Sequence, residues 1–106
     1  MRGKSLLAYS GLVADVFRAL DDETRRLLLD ELVARDGRTL FELCTTLVTR
    51  HGLSSSRQAI SQHLGVLEDA GLVVTERRGR TKIHHFRGEP LAAITQRWPA
   101  SRKDTP

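Results

Sequence analysis

The chain has 106 residues, with 17 Lys and Arg against 13 Asp and Glu, for a formal charge of +4. That length suits one domain with one modest core, and the basic balance favours a polyanionic partner. The single cysteine, Cys44, excludes an intrachain disulfide and suits a reducing compartment. No apolar run approaches transmembrane length, and the N-terminus MRGKSLLAYSG lacks a signal-peptide core. The expectation is one cytoplasmic domain over residues 1–106, with no membrane partner and loose ends at 1–10 and 99–106.

Helical spacing of Leu12, Val13, Val16, Phe17 and Leu20 predicts a first helix over Leu12 to Leu20. Asp22 is placed to cap a second helix, with Glu23 supporting its start. Leu28, Leu29, Leu32 and Val33 are its expected buried face, and Asp36-Gly37 ends it. A third helix is expected from about Thr39, with Leu40, Leu43, Cys44, Leu47 and Val48 inward and Gly52 as its stop. A fourth starts at a serine cap, Ser55 or Ser56. Ile60, Leu64 and Leu67 form its inner stripe and Gly71 closes it. Leu72 to Thr75 and Ile83 to Phe86 are β-formers, and Gly79 sits where a hairpin tip needs positive φ. Pro90 opens a last helix with Leu91, Ile94 and Trp98 as its stripe. The predicted class is mainly α with a small β-hairpin, in the order α-α-α-α-β-β-α.

If Ile60, Leu64 and Leu67 face inward, Arg57, Gln58, Ser61 and Gln62 face outward. Arg can read guanine and Gln adenine, each through two hydrogen bonds worth about 1–3 kcal/mol of discrimination. Ser54, Ser55 and Ser56 stand at the helix start, where free backbone N–H groups attract phosphate. His63 either reaches the backbone or packs at the edge. By themselves these residues fit an ordinary capped surface helix equally well. The hairpin breaks the tie. Arg77, Arg78, Arg80 and Lys82 crowd its tip, with Glu76 as the one acid of the turn. A charge run often only guards a strand edge. Beside a polar helix of this kind, contact with DNA phosphates or the minor groove is the better reading.

Three phrases in order carry a family likeness: FRALDDETRRLLLDEL (Phe17 to Leu32), SRQAISQHLGVLEDAGLV (Ser56 to Val73) and RRGRTKIHHF (Arg77 to Phe86). With them the chain resembles the ArsR-type winged-helix repressors from about Val16 to Ile94. The first phrase holds the aspartate cap Asp22 and the pair Arg25–Arg26. The second holds Ser61, His63 and Leu64, then Ala70, Gly71 and Leu72. The resemblance implies a winged helix-turn-helix and a dimeric repressor of double-stranded DNA that binds an inverted repeat. It also implies a homodimer through the first and last helices, here Leu12, Val13, Val16, Phe17, Leu91, Ile94 and Trp98. The stretch VTRHGLSS before Ser56 is a few residues longer than the compact family turn.

Metal-sensing members carry Cys-x-Cys in the third helix. Here Glu42-Leu43-Cys44 is followed by Thr45 and Thr46, so the second thiolate is missing. A soft-metal site needs several converging thiolates, and Cys44 reads as a buried structural thiol. His84 and His85 alternate across a strand, which makes them poor joint ligands. No metal, cofactor or small-molecule effector is therefore assigned. Nucleophile–base pairs, carboxylate pairs and phosphate loops are not found, so an enzyme is not expected. The alternative kept open is a winged-helix protein-interaction module with sequence-independent DNA affinity.

Overall fold

A computed structural model describes residues 5–100. Five helices and one hairpin follow in the expected order: α1 (Ser5–Leu20), α2 (Glu23–Ala34), α3 (Leu40–His51), α4 (Arg57–Asp69), β1 (Val73–Arg78), β2 (Thr81–Phe86) and α5 (Glu89–Arg97). The helix starts are set by side-chain caps. The Asp22 carboxylate accepts from the Arg25 amide at 3.0 Å. Thr39 and Glu42 form a reciprocal capping box. Ser56 Oγ accepts from the Ala59 amide at 3.0 Å, so Ser56 is the cap of α4. Gly71 and Gly79 take the left-handed conformation expected of them, with φ of 80° and 60°.

Helix α4 lies at the centre. Ile60, Leu64 and Leu67 are fully buried against Val16 and Ala19 of α1, Leu28 and Leu32 of α2, Leu43 and Leu47 of α3, and Leu72 and Val73 beyond α4. Truncating any of these leucines to alanine should cost about 2–5 kcal/mol. The hairpin strands pair antiparallel, from Val73 opposite Phe86 to Arg78 opposite Thr81. The segment before α3 adds a short third edge. The His84 amide donates to the Arg38 carbonyl at 2.8 Å, and the Arg38 and Gly37 amides donate back to the His84 carbonyl.

Several expectations change. Helix α1 begins at Ser5 rather than Leu12. The first four and last six residues of the expected loose ends lie outside the described residues, as does the Leu12 side chain. Val16 is 1% exposed and belongs to the core of a single chain, so it is not free to line a dimer face. Val33 and Val48, expected inside, are 63% and 50% exposed. Both displacements have one cause, the buried guanidinium of Arg38. Its Nη2 donates to the Glu31 carboxylate at 3.0 Å and also to the Glu31 carbonyl, and its Nη1 donates to Thr46 Oγ1 at 3.1 Å. To meet it, α2 turns Glu31 inward and α3 turns Thr46 inward. With 100° between successive residues, Val33 and Val48 then roll out on the far side of each helix.

Candidate nucleic-acid interface

The inner stripe of α4 leaves Arg57, Gln58, Ser61 and Gln62 exposed, as its spacing predicts. Ser54 and Ser55 are exposed in the turn before it. Across from α4 stands the hairpin. Its two faces alternate, so Lys82 and His84 share one face and Thr81, Ile83 and His85 the other. Between α4 and the hairpin lies a cleft of about 680 Å³. Arg57, Ser61, Gly65 and Glu68 line it from α4, and Arg80, Thr81 and Lys82 from the hairpin. The cleft thus brings together three of the expected cations and one expected hydroxyl.

The remaining expected residues divide. Arg77 is exposed directly opposite Lys82. Arg78 turns to the other face, where Nε and Nη2 donate to the Glu76 carboxylate at 3.0 and 3.3 Å. The hydrogen bond from Arg78, helped by one from His85, holds the Glu76 carboxyl below the usual carboxylate range. His63 does not face the cleft. It is half-buried against α2, where Arg25 Nη1 donates to its Nδ1 at 3.1 Å and Asp22 lies 3.8 Å away. A guanidinium can only donate, so Nδ1 is the accepting nitrogen. Arg25 also donates to the Ala19 and Arg18 carbonyls at 2.8 and 3.2 Å. Through Arg25, His63 therefore adds a polar tie between α4 and the α1–α2 corner.

A family model described as a helix-turn-helix domain matches residues 20–76. The uncharacterized HTH-type transcriptional regulator YuzN of Bacillus subtilis is 51% identical over 83 residues, covering 78% of this chain and 90% of that one. An ArsR-like transcriptional regulator from Rhodococcus sp. RHA1 superposes with a TM-score of 0.64 at 37% identity, covering 83% of this chain and 79% of its own. The chain belongs to the ArsR family of helix-turn-helix transcriptional regulators. Another similar structure is the homodimeric winged helix-turn-helix DNA-binding domain of Mb0332 from Mycobacterium bovis. It has a TM-score of 0.67 at 28% identity and covers 91% of this chain and 84% of its own.

In this ArsR-family regulator the hairpin is the wing, and two polar clusters hold it. The first is the Arg38 hub already described. Glu31 there also meets His51 at 2.8 Å and Arg50 at 3.3 Å. Burial works against its ionisation, but the hydrogen bonds from His51 and Arg38 prevail and keep its carboxyl below the usual range. The second cluster is His85, whose Nδ1 faces Asp36 at 2.8 Å and whose Nε2 faces Glu76 at 2.9 Å. A neutral ring donates from one nitrogen only, so two carboxylates select the imidazolium. The Asp36 and Glu76 hydrogen bonds raise the His85 pKa accordingly. Asp36 also accepts from the Phe86 amide at 2.6 Å, tying the α2–α3 loop to the wing.

Cys44 is half-buried rather than buried, in a shallow groove with Phe41, Val48 and Arg57. Burial pushes its thiol pKa up, with the Arg57 charge offsetting part of the effect. Among the described residues no cluster of three or more His, Cys, Asp or Glu could hold a metal ion. Neither is any helix among them long and apolar enough to cross a membrane. Arg38 and the His85 clamp carry no signal in the sequence, and Arg25 stands out there only as half of the Arg25–Arg26 pair. The Thr39-x-x-Glu42 spacing of the capping box was readable, whereas a buried arginine leaves no periodic signal.

Proposed function

We propose that this regulator is a homodimeric, cytoplasmic repressor that binds an inverted-repeat operator. Helix α4 enters the major groove and the wing lies along the flanking backbone. One observation carries the reading: Arg57 and Ser61 from the polar outer face of α4 and the cations Arg80 and Lys82 front the same cleft. The wing register supports it. Arg77 and Lys82 stand directly opposite each other, a like-charge pair that destabilises a hairpin alone and is relieved by a polyanion. Phosphate contacts then supply affinity and salt dependence, while Arg57, Gln58, Ser61 and Gln62 supply sequence choice.

The dimer face is drawn from α1 and α5, which pack on one another. Phe17 on α1 and Trp98 at the end of α5 are 49% and 55% exposed, with the half-buried Val13, Leu91 and Ile94 beside them. Selection of bound duplexes from a random-sequence pool tests the reading. An inverted repeat is expected, with half-sites about 10 base pairs apart or a multiple of that. Uniform recovery of all sequences would instead support a protein-interaction module with non-specific DNA affinity.

A further inference from the structure

Gly65 sits in the middle of α4, with ordinary helical backbone. Glycine there is destabilising relative to alanine, because it loses more freedom on folding. Usually the protein's own packing or a positive φ explains such a residue. Neither does here. A methyl group built on Gly65 would meet nothing within 4 Å outside its own stretch of helix. By contrast, a methyl group on Gly37 or Gly88 would press on His85 or Phe86 at 3.4 and 3.3 Å. The space at Gly65 is the cleft itself. One turn before it lies Ser61, and one turn before that Arg57, so the three form one row on the α4 wall facing the wing. Arg80 and Lys82 stand on the opposite wall. Glu68, a turn beyond Gly65, closes the α4 wall with a negative charge.

We propose that Gly65 is a close-approach point, where a deoxyribose–phosphate segment of one DNA strand passes in van der Waals contact with the α4 backbone. The missing side chain leaves room for the strand between the two walls. Arg80 and Lys82 neutralise its phosphates, and Glu68 marks the end from which phosphate is repelled. This rests on the reading of α4 and the wing as the DNA-binding face. It adds a residue that limits how deeply the helix seats, and it names sugar–phosphate rather than a base edge as what Gly65 meets.

The test is Gly65→Ala, with Gly65→Leu as a larger step, on the duplex recovered by random-pool selection with the wild-type protein and on a scrambled duplex. The alanine variant should raise Tm by about 4 °C and yet bind both duplexes at least ~5-fold more weakly, with leucine weaker still. Loss on both duplexes alike is expected because a sugar–phosphate contact carries no sequence information. The salt slope should not change, because no charge is removed. Binding of Gly65→Ala within twofold of wild type would overturn the proposal. So would a fall in Tm, which would mean the protein's own packing requires the glycine. So would loss confined to the selected duplex, which would make Gly65 a base-edge contact. Recovery of no enriched duplex by the wild type would defeat the DNA reading itself, and this proposal with it. Equal binding of an enriched duplex by the alanine variant would defeat the close approach alone.

Discussion

Replacing Arg38 by methionine should destabilise the domain by about 3 kcal/mol. The Arg38 and Glu31 side chains are 5% and 4% exposed, so the pair is desolvated. Breaking a buried pair from one side costs about 3–5 kcal/mol, because the other charge is left behind. The lower end applies here. Glu31 keeps His51 at 2.8 Å and Arg50 at 3.3 Å, and methionine retains much of the arginine stem's packing. Thermal and urea unfolding, followed by circular dichroism, should register the loss as a fall in Tm of roughly 15 °C. The double variant Glu31→Leu with Arg38→Met removes both charges and should be more stable than Arg38→Met alone, with a coupling of about 1–3 kcal/mol. A single-variant cost under about 1 kcal/mol would mean that Glu31 is not held by Arg38.

The His85 clamp predicts a pH dependence. Its folded pKa is raised, so its contribution is complete below the unfolded value of about 6.5 and is lost as pH rises through the folded value. The Tm advantage of wild type over His85→Gln should shrink on going from about pH 6 to 9, and a constant difference would contradict the clamp. Asp36 opposes it with a lowered pKa, where burial is outweighed by the Phe86 amide and His85. Its contribution should hold above about pH 4 and fail as pH falls through its folded value. Phe17→Glu with Trp98→Glu should halve the sedimenting mass from about twice 11.9 kDa to one chain at micromolar protein, whereas an unchanged mass would move the dimer face elsewhere. Zinc, cadmium or arsenite should leave DNA affinity unchanged, because Cys44 is one thiol with a raised pKa. Stoichiometric metal binding with release of DNA would reverse that expectation.

The elements were legible because each was signalled more than once. Helix α4 had its apolar spacing, its serine cap and its closing glycine, and all three appear where they were read. The wing had β-formers around Gly79. What escaped was governed by polar burial. Val33 and Val48 obey the same spacing as their buried neighbours, and the rotation that exposes them comes from Arg38, 5 residues from one and 10 from the other. Family likeness points Val16 outward, but in this chain it is buried in the core cluster with Ile60, Leu64 and Leu67 of α4. His63 lies among reading residues in the sequence, which suggests a DNA contact as readily as packing at the edge. Its place one step round the helix turns it to Arg25 instead. At the wing, alternation separated His84 from His85 correctly, but it could not reveal that loop residue Asp36 would bond to His85.

In the proposed division of labour, α4 reads sequence while the wing supplies charge. The affinity of Gln58→Ala for the selected and scrambled duplexes separates the two roles. The expected loss is about 1–3 kcal/mol on the selected duplex, with little change on the scrambled one. Equal weakening on both would contradict it and leave α4 as a phosphate-binding helix that does not read the bases.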